Sequence, residues 1–192
     1  MAARVRRPYS AGMYFAAAPI LALCLVALPL GLAAQTAIGR VFVSPSGEPF
    51  HPTPAAPDAF GAWFSRVDAN HDGRIDRDEF RADAAQFFKR LDTNGDGVID
   101  GFEIAAYEKS VAADLDISGQ GFIADPKSRD GPITLLAEPE PVSGADTDLN
   151  SHVSLAEWLA ATDRRFDLLD VKRLGYLSRE ALVARLPKGR RP

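Results

Sequence analysis

Residues 68–103 read DANHDGRIDRDEFRADAAQFFKRLDTNGDGVIDGFE. Two twelve-residue segments inside this stretch, 68–79 and 92–103, share one pattern: Asp or Asn at alternate positions, Gly at the sixth and Glu at the twelfth. Their starts, 68 and 92, are 24 residues apart, so only residues 80–91 lie between them. Phe80, Ala84, Phe87, Phe88 and Leu91 keep one helical phase across that gap, with no Gly or Pro, and this predicts a single helix shared by both segments. At 1.5 Å per residue it spans about 18 Å. The two segments then sit at its opposite ends and cannot pair with each other.

The chemistry of the segments follows from their acids. Asp68, Asp72, Asp76 and Glu79 in the first, and Asp92, Asp96, Asp100 and Glu103 in the second, repel one another until a cation neutralises them. Gly73 and Gly97 fall where so tight a winding needs a left-handed backbone that side chains resist. A hard divalent cation takes six to eight oxygens at about 2.3–2.6 Å, and alternate loop positions deliver them. At every coordinating position both segments resemble the calcium loops of the EF-hand family. The resemblance implies a first ligand set of Asp68, Asn70, Asp72, the carbonyl of Arg74, Asp76 directly or through water, and Glu79 with both oxygens. It implies a second of Asp92, Asn94, Asp96, the carbonyl of Val98, Asp100 and Glu103. Ile75 and Ile99 hold the eighth position, where such loops pair through a short strand. Ahead of the first loop, Ala59, Phe60, Trp63, Phe64 and Val67 recur at helical spacing behind Pro57-Asp58; after the second, Phe102, Ile104, Ala105 and Val111 continue a helix of about ten residues.

A weaker copy follows. Residues 146–157, DTDLNSHVSLAE, imply a third calcium set of Asp146, Asp148, Asn150, the carbonyl of His152, Ser154 and Glu157. Ser151 stands where Gly is expected, at about 1 kcal/mol for the left-handed backbone, and three acids replace four. Residues 170–181, DVKRLGYLSREA, keep Gly175 and Leu177 but set Lys172, Leu174 and Ala181 where donors belong, and read as a metal-free relic. The starts 146 and 170 repeat the 24-residue interval, which points to an internal duplication. Leu155, Trp158, Leu159, Thr162, Phe166 and Leu169 form the stripe of a second shared helix. If the two shared helices pack antiparallel, loop one meets loop four, loop two meets loop three, and Ile75, Ile99, Val153 and Leu177 are all buried. Parallel packing reverses the partners. The expected fold is all-α: an EF-hand array of two loop–helix–loop modules, 58–113 and 146–187, with short β pairing between calcium loops.

The remaining segments are plainer. Arg4, Arg6 and Arg7 precede an apolar run over 16–34, with small residues at Gly31, Ala33 and Ala34, so residues 1–34 read as a signal peptide. Export to the periplasm or outside the cell follows, the alternative being an inner-membrane anchor over 13–34 that would leave the protein on a membrane; Pro19 and Pro29 disfavour it. Residues 35–57 form a Pro-rich spacer with room for one short edge strand, in which Val41, Phe42, Val43 and Phe50 are apolar enough to lie against a core. Residues 114–145 are a Gly/Pro-rich connection whose Ile133, Leu135 and Leu136 can tuck inward. Its Glu138-Pro139-Glu140-Pro141 leaves no entering helix before loop three, as in dockerin-like half hands. Residues 188–192 are a basic tail.

Composition narrows the function. The 192 residues are 46% hydrophobic and 25% charged, an ordinary globular balance. Lys and Arg number 22 against 26 acids; without the three leader arginines the balance is 19 against 26, or −7, which argues against nucleic acid as a partner. Cys24 is the only cysteine and lies in the leader, so the body has no disulfide, zinc–thiolate site or cysteine nucleophile. His51, His71 and His152 read as surface residues, and no nucleophile elbow, phosphate loop or zinc pattern occurs, so no catalysis is expected. The expectation is an exported calcium-binding protein with a structural, buffering or low-affinity sensor role, its partners calcium ions and an unidentified protein. The alternative is a calcium-stabilised interaction module of the dockerin type, offering Leu182, Val183 and Leu186 on the last helix. A third reading is a lanthanide-binding protein: the short spacing and the ninth-position Asp76 and Asp100 are shared with proteins of the lanmodulin type, but Ala69, Thr93 and Thr147 stand where those carry Pro.

Overall fold

The stretch between the first two loops folds as one unbroken helix. In the computed structural model, which describes residues 40–115 and 132–186, all within the unit 36–192, helix α1 (Ala59–Val67) leads into strand β3 (Arg74–Asp76), helix α2 (Arg77–Leu91), strand β4 (Val98–Ile99) and helix α3 (Gly101–Asp114). The two strands that precede α1 are β1 (Phe42–Val43) and β2 (Pro49–Phe50). The signal or anchor segment, the first residues of the spacer, the middle of the Gly/Pro-rich connection and the basic tail lie outside the described residues. The fifteen residues of α2 make a rod of about 22 Å, with Phe80, Ala84, Phe87, Phe88 and Leu91 on its buried face. Asp58 caps α1, its carboxylate accepting the Gly61 N–H at 3.0 Å.

The second half repeats the plan. Strand β5 (Ile133–Thr134) and a short 3-10 turn, Ser143–Ala145, lead to β6 (Val153–Ser154), α4 (Leu155–Leu169), β7 (Tyr176–Ser178) and α5 (Arg179–Val183). No entering helix precedes loop three, as the two prolines of 138–141 dictate. On α4, Trp158, Ala161, Thr162, Phe166 and Leu169 face inward. Leu155 does not: it is 41% exposed at the first turn, and Arg165 takes an inward position instead.

The two rods pack antiparallel. At one end Phe80, near the start of α2, meets Phe166, near the end of α4, with ring centroids 5.6 Å apart. At the other, Trp158 packs against Phe87 and Phe88 at 6.1 and 6.0 Å and donates its indole N–H to the Ala84 carbonyl at 2.8 Å. Asp163 and Asp167 of α4 take ion pairs from Arg77 and Arg81 of α2 along the exposed edge. The arginine donors hold the Asp163 carboxyl below the usual carboxylate range, their hydrogen bonds outweighing its partial burial. This packing sets the loop pairing. β3 runs antiparallel to β7 with Ile75 opposite Leu177, and β4 antiparallel to β6 with Ile99 opposite Val153. Three of those four side chains are fully buried and Leu177 is 2% exposed. One apolar cluster surrounds the β3–β7 pair, with Trp63, Phe64, Phe80, Phe166 and Leu182; a second surrounds the β4–β6 pair, with Phe87, Phe88, Tyr107, Val111 and Trp158.

Three expectations are corrected. The fold is not purely α: β2, β1 and β5 form a three-stranded sheet with β1 in the centre, antiparallel to β2 and parallel to β5. The spacer therefore supplies a hairpin, not one edge strand. Its turn works because Gly47 adopts φ 96° and offers its carbonyl to the Tyr107 hydroxyl at 2.7 Å; a Cβ there would meet that hydroxyl at 2.5 Å. Phe42 is fully buried against Phe60 and Trp63, at 5.4 and 5.2 Å between ring centroids, which binds the strap to α1. Glu48 pairs with Arg66 of α1 and Arg90 of α2. Arg66 also reaches Asp83 at 2.6 Å, and burial nevertheless pushes the Asp83 carboxyl above its ordinary range. Second, Phe102 does not join the apolar face of α3 but is 88% exposed. Third, α5 has five residues and turns Leu182 into the core, with Leu186 packed beside it, so of the three residues expected on an exposed face Val183 alone, 46% exposed, stands clear of the core.

Trp158 fills the space between the rods. Trp158→Ala should lower the unfolding free energy by about 3–5 kcal/mol, read as a reduced midpoint in urea without a change in helix content before the transition.

Candidate metal centres

All four loops are wound alike. Their starts place a left-handed residue at the fourth and sixth positions of each: His71 and Gly73, Gly95 and Gly97, Leu149 and Ser151, Arg173 and Gly175, with φ between 52° and 87°. Sequence reasoning found only the sixth; the one clue to the fourth was Gly95 in loop two.

The first-position Asp organises the turn. Asp68 accepts the N–H groups of Asp72 and Gly73, both at 3.0 Å. Asp92 accepts those of Asp96 and Gly97 at 3.1 and 2.9 Å, and Asp146 those of Asn150 and Ser151 at 3.2 and 2.9 Å. Inside the winding, Asn70 and Asn94 accept the Asp72 and Asp96 N–H groups at 2.8 Å, and Asn150 accepts that of His152 at 2.8 Å. A carboxylate oxygen has two lone pairs, so one stays available to a cation after an amide has taken the other.

The last four residues of each loop start a helix. Asp76, Asp100 and Ser154 are the N-caps of α2, α3 and α4. Glu79, Glu103 and Glu157 reach back to the cap N–H at 3.0, 3.1 and 3.0 Å, completing three capping boxes. The same glutamates close the loop across its mouth. Glu79 takes the Ala69 N–H at 3.1 Å, Glu103 the Thr93 N–H at 2.7 Å and Glu157 the Thr147 N–H at 3.1 Å. Burial opposes the charge on Glu103, but the Asp100 N–H and the Thr93 hydroxyl and N–H outweigh it and hold its carboxyl below the ordinary range. Glu157, taking the N–H and hydroxyl of Ser154 and the N–H of Thr147, is pulled down to about 2. Both are ionised at neutral pH. The seventh-position carbonyls of Arg74 and Val98 lie on β3 and β4, and that of His152 just precedes β6.

The sites differ in how far their acids converge. One oxygen each from Asp146, Asp148 and Glu157 lie within 4.8 Å of one another, which among the described residues is the place where three carboxylates gather most closely. Two oxygens on opposite sides of a calcium ion at about 2.4 Å are about 4.8 Å apart. Loop three, the weakest by composition, is thus the nearest to a ready cage. In loops one and two the ligand residues sit at the corresponding positions, and the fifth-position Asp72 and Asp96 accept the Arg74 and Val98 N–H groups at 2.9 and 3.0 Å as Asn150 accepts that of His152 in loop three. Loop four keeps only the scaffold: Asp170 accepts the Leu174 and Gly175 N–H groups at 2.9 and 2.7 Å, while Val171 and Leu174 point to solvent. Donors that are all hard oxygens, with more negative than positive charge among them, fit calcium and not a thiophilic metal.

Helix–loop–helix units of this winding define a class of cation-binding protein, and the comparison with known families agrees. A family model described as EF hand matches residues 60–82 and 84–106, which contain the first two loops. The two matched segments are EF hands, the helix–loop–helix units of calcium-binding proteins. No curated protein matches the chain. Loops three and four fall outside the matched residues and are identified by their geometry.

Ser151 is the non-glycine residue at a sixth position, at φ 66°. Ser151→Gly should stabilise the calcium-loaded protein by about 0.5–1 kcal/mol, seen as a higher unfolding midpoint, whereas Gly97→Ala should lower it by a similar amount.

Proposed function

We propose that the protein is an exported calcium binder that holds three ions, in loops 68–79, 92–103 and 146–157, and uses them to complete its fold. The observation that carries this reading is the identical winding of the three loops, each with oxygen donors at all six ligand positions. Bound calcium supplies neutralising charge and a fixed coordination shell. The chain supplies the rest: Asp68, Asp92 and Asp146 tie the turns, and Glu79, Glu103 and Glu157 lock each loop to the helix that follows.

A structural or buffering role is favoured over a switch for two reasons. The basic and apolar leader directs the chain out of the cytosol, and in the calcium-rich medium outside it a micromolar site stays filled. The strap also restrains movement, because Tyr107 of α3 is hydrogen-bonded to Gly47 while Glu48 bridges Arg66 of α1 and Arg90 of α2. Opening the second hand would break those contacts.

Calorimetric titration of the chelator-stripped protein should show three calcium ions per chain. Free calcium at 100 times the dissociation constant of a site should add about 2.7 kcal/mol per site to stability, with little change in the shape of the circular dichroism spectrum. Fewer than two saturable ions, or no shift in the unfolding midpoint, would refute the reading.

A further inference from the structure

Apolar side chains stand in solvent where the fourth loop turns. Leu168 near the end of α4, Val171 and Leu174 in loop four and Val183 on α5 are between 46% and 72% exposed, and all fall within residues 168–183. Loop four has the winding of the calcium loops but other contents. Asp170 holds its backbone by accepting the Leu174 and Gly175 N–H groups, and Arg173 and Gly175 are left-handed. Val171 and Lys172 stand where loop one has Ala69 and Asn70, and Leu174 where it has Asp72. The turn therefore carries aliphatic and cationic side chains at its surface.

The cations gather at the same end. Residues 168–186 hold Lys172, Arg173, Arg179 and Arg185 against Asp170 and Glu180, in a body whose balance is 19 against 26. Arg164, one turn before Leu168 on the same line of α4, is also exposed. Arg66, Arg77, Arg81 and Arg90 are engaged by acids, whereas among the described residues Arg164, Lys172 and Arg173 make no ion pair. Arg185 donates to the Leu168 carbonyl at 2.8 Å, which brings the segment after α5 against the end of α4. From Leu168 the apolar surface runs into an open groove of about 350 Å3 along α4, lined by Leu136, Ala137, Pro139, Ala161 and Arg164. The acid on that groove, Glu138, is paired with the buried Arg165 at 2.7 Å.

We propose that this end of the molecule docks on an anionic phospholipid bilayer, with Leu168, Val171 and Leu174 entering the interface and Arg164, Lys172 and Arg173 meeting the headgroups. Aliphatic side chains set among unpaired cations suit a surface that is apolar below and anionic above. They lack the aromatic anchors that fill pockets on a protein partner. Loop one, at the same end, opposes docking with Asp68, Asp72, Asp76 and Glu79. A calcium ion there cancels two of those four charges. Loop three lies at the other end of α4, about 22 Å away.

The test uses residues 35–192, which contain the compact unit and omit the basic and apolar leader, with calcium in excess. Partition onto vesicles of phosphatidylcholine mixed with phosphatidylglycerol should be at least about ten-fold tighter than onto phosphatidylcholine alone, and should weaken as salt is added. Lys172→Gln and Arg164→Gln should each weaken it by about five-fold, the effect of one cation near an anionic surface. Val171→Ser combined with Leu174→Ser should weaken it by at least about ten-fold, with the unfolding midpoint unchanged because both side chains are exposed. Phe102→Ser, which alters an exposed side chain at the far end, should leave it unchanged. Cys24 is the only cysteine and lies outside 35–192, so a single spin label reads depth. On binding, a label at Val171→Cys should become shielded from a water-soluble relaxant, while one at Phe102→Cys stays in water. No partition, equal partition onto both vesicles, a Phe102→Ser loss equal to that of the loop-four pair, or a label at 171 that stays in water would each overturn the proposal. Binding to polyglutamate and not to vesicles would assign the surface to an acidic protein, and so overturn it too. All of these can fail while calcium still binds, which keeps this proposal separable from the reading above.

Discussion

Everything in this structure depends on the shortness of the gap between paired loops. Twelve residues can hold one helix or two turns and a linker, but not an exiting helix, a turn and an entering helix. Given Phe80, Ala84, Phe87, Phe88 and Leu91 on one face, the chain takes the single helix. A rod with a loop at each end cannot close on itself. It needs a second rod running the other way, which the repeat over 146–181 provides. Trp158 against Phe87 and Phe88, and Phe166 against Phe80, fix that direction, and the loop partners follow from it.

Charge then works on a frame that packing has already set. The acids of each calcium loop are drawn together by backbone amides: the first-position Asp gathers the turn and the twelfth-position Glu bridges the mouth and caps the helix. Amides partly offset the repulsion, and the cation removes what remains. The sealed eighth-position pairs anchor the loops in a core and not on a dangling surface. The strap adds a third restraint. Through Phe42, Gly47 and Glu48 it joins α1, α2 and α3, and so a segment with no metal ligand governs how far the metal-bearing helices can move.

Much of this was legible in the residues. The winding of the loops, the shared helices and the antiparallel pairing follow from spacing and residue type, because EF-hand ligands and the buried face of a helix are read at fixed intervals. What was not legible depends on contacts between distant segments. The spacer's β1 is the centre of a three-stranded sheet because β5, some ninety residues on, lies along its other side; nothing local to Val41, Phe42 or Val43 announces that. Leu182 looked available to a partner but fills the end of the first core cluster. Arg165, which lies outside the expected apolar stripe of α4, is buried and held by Glu138 and the Pro141 carbonyl. The left-handed fourth position escaped notice because His71, Leu149 and Arg173 give no sign of it. The count of acids in the third loop gave no sign of how near to one another they stand.

The most direct test is the map of cross-strand proton contacts in the calcium-loaded protein in solution. Nuclear Overhauser contacts should join the backbone of Ile75 to that of Leu177 and the backbone of Ile99 to that of Val153, with none between Ile75 and Ile99. A contact between Ile75 and Ile99 would mean that the helix between them bends back on itself, and the crossed architecture would be wrong.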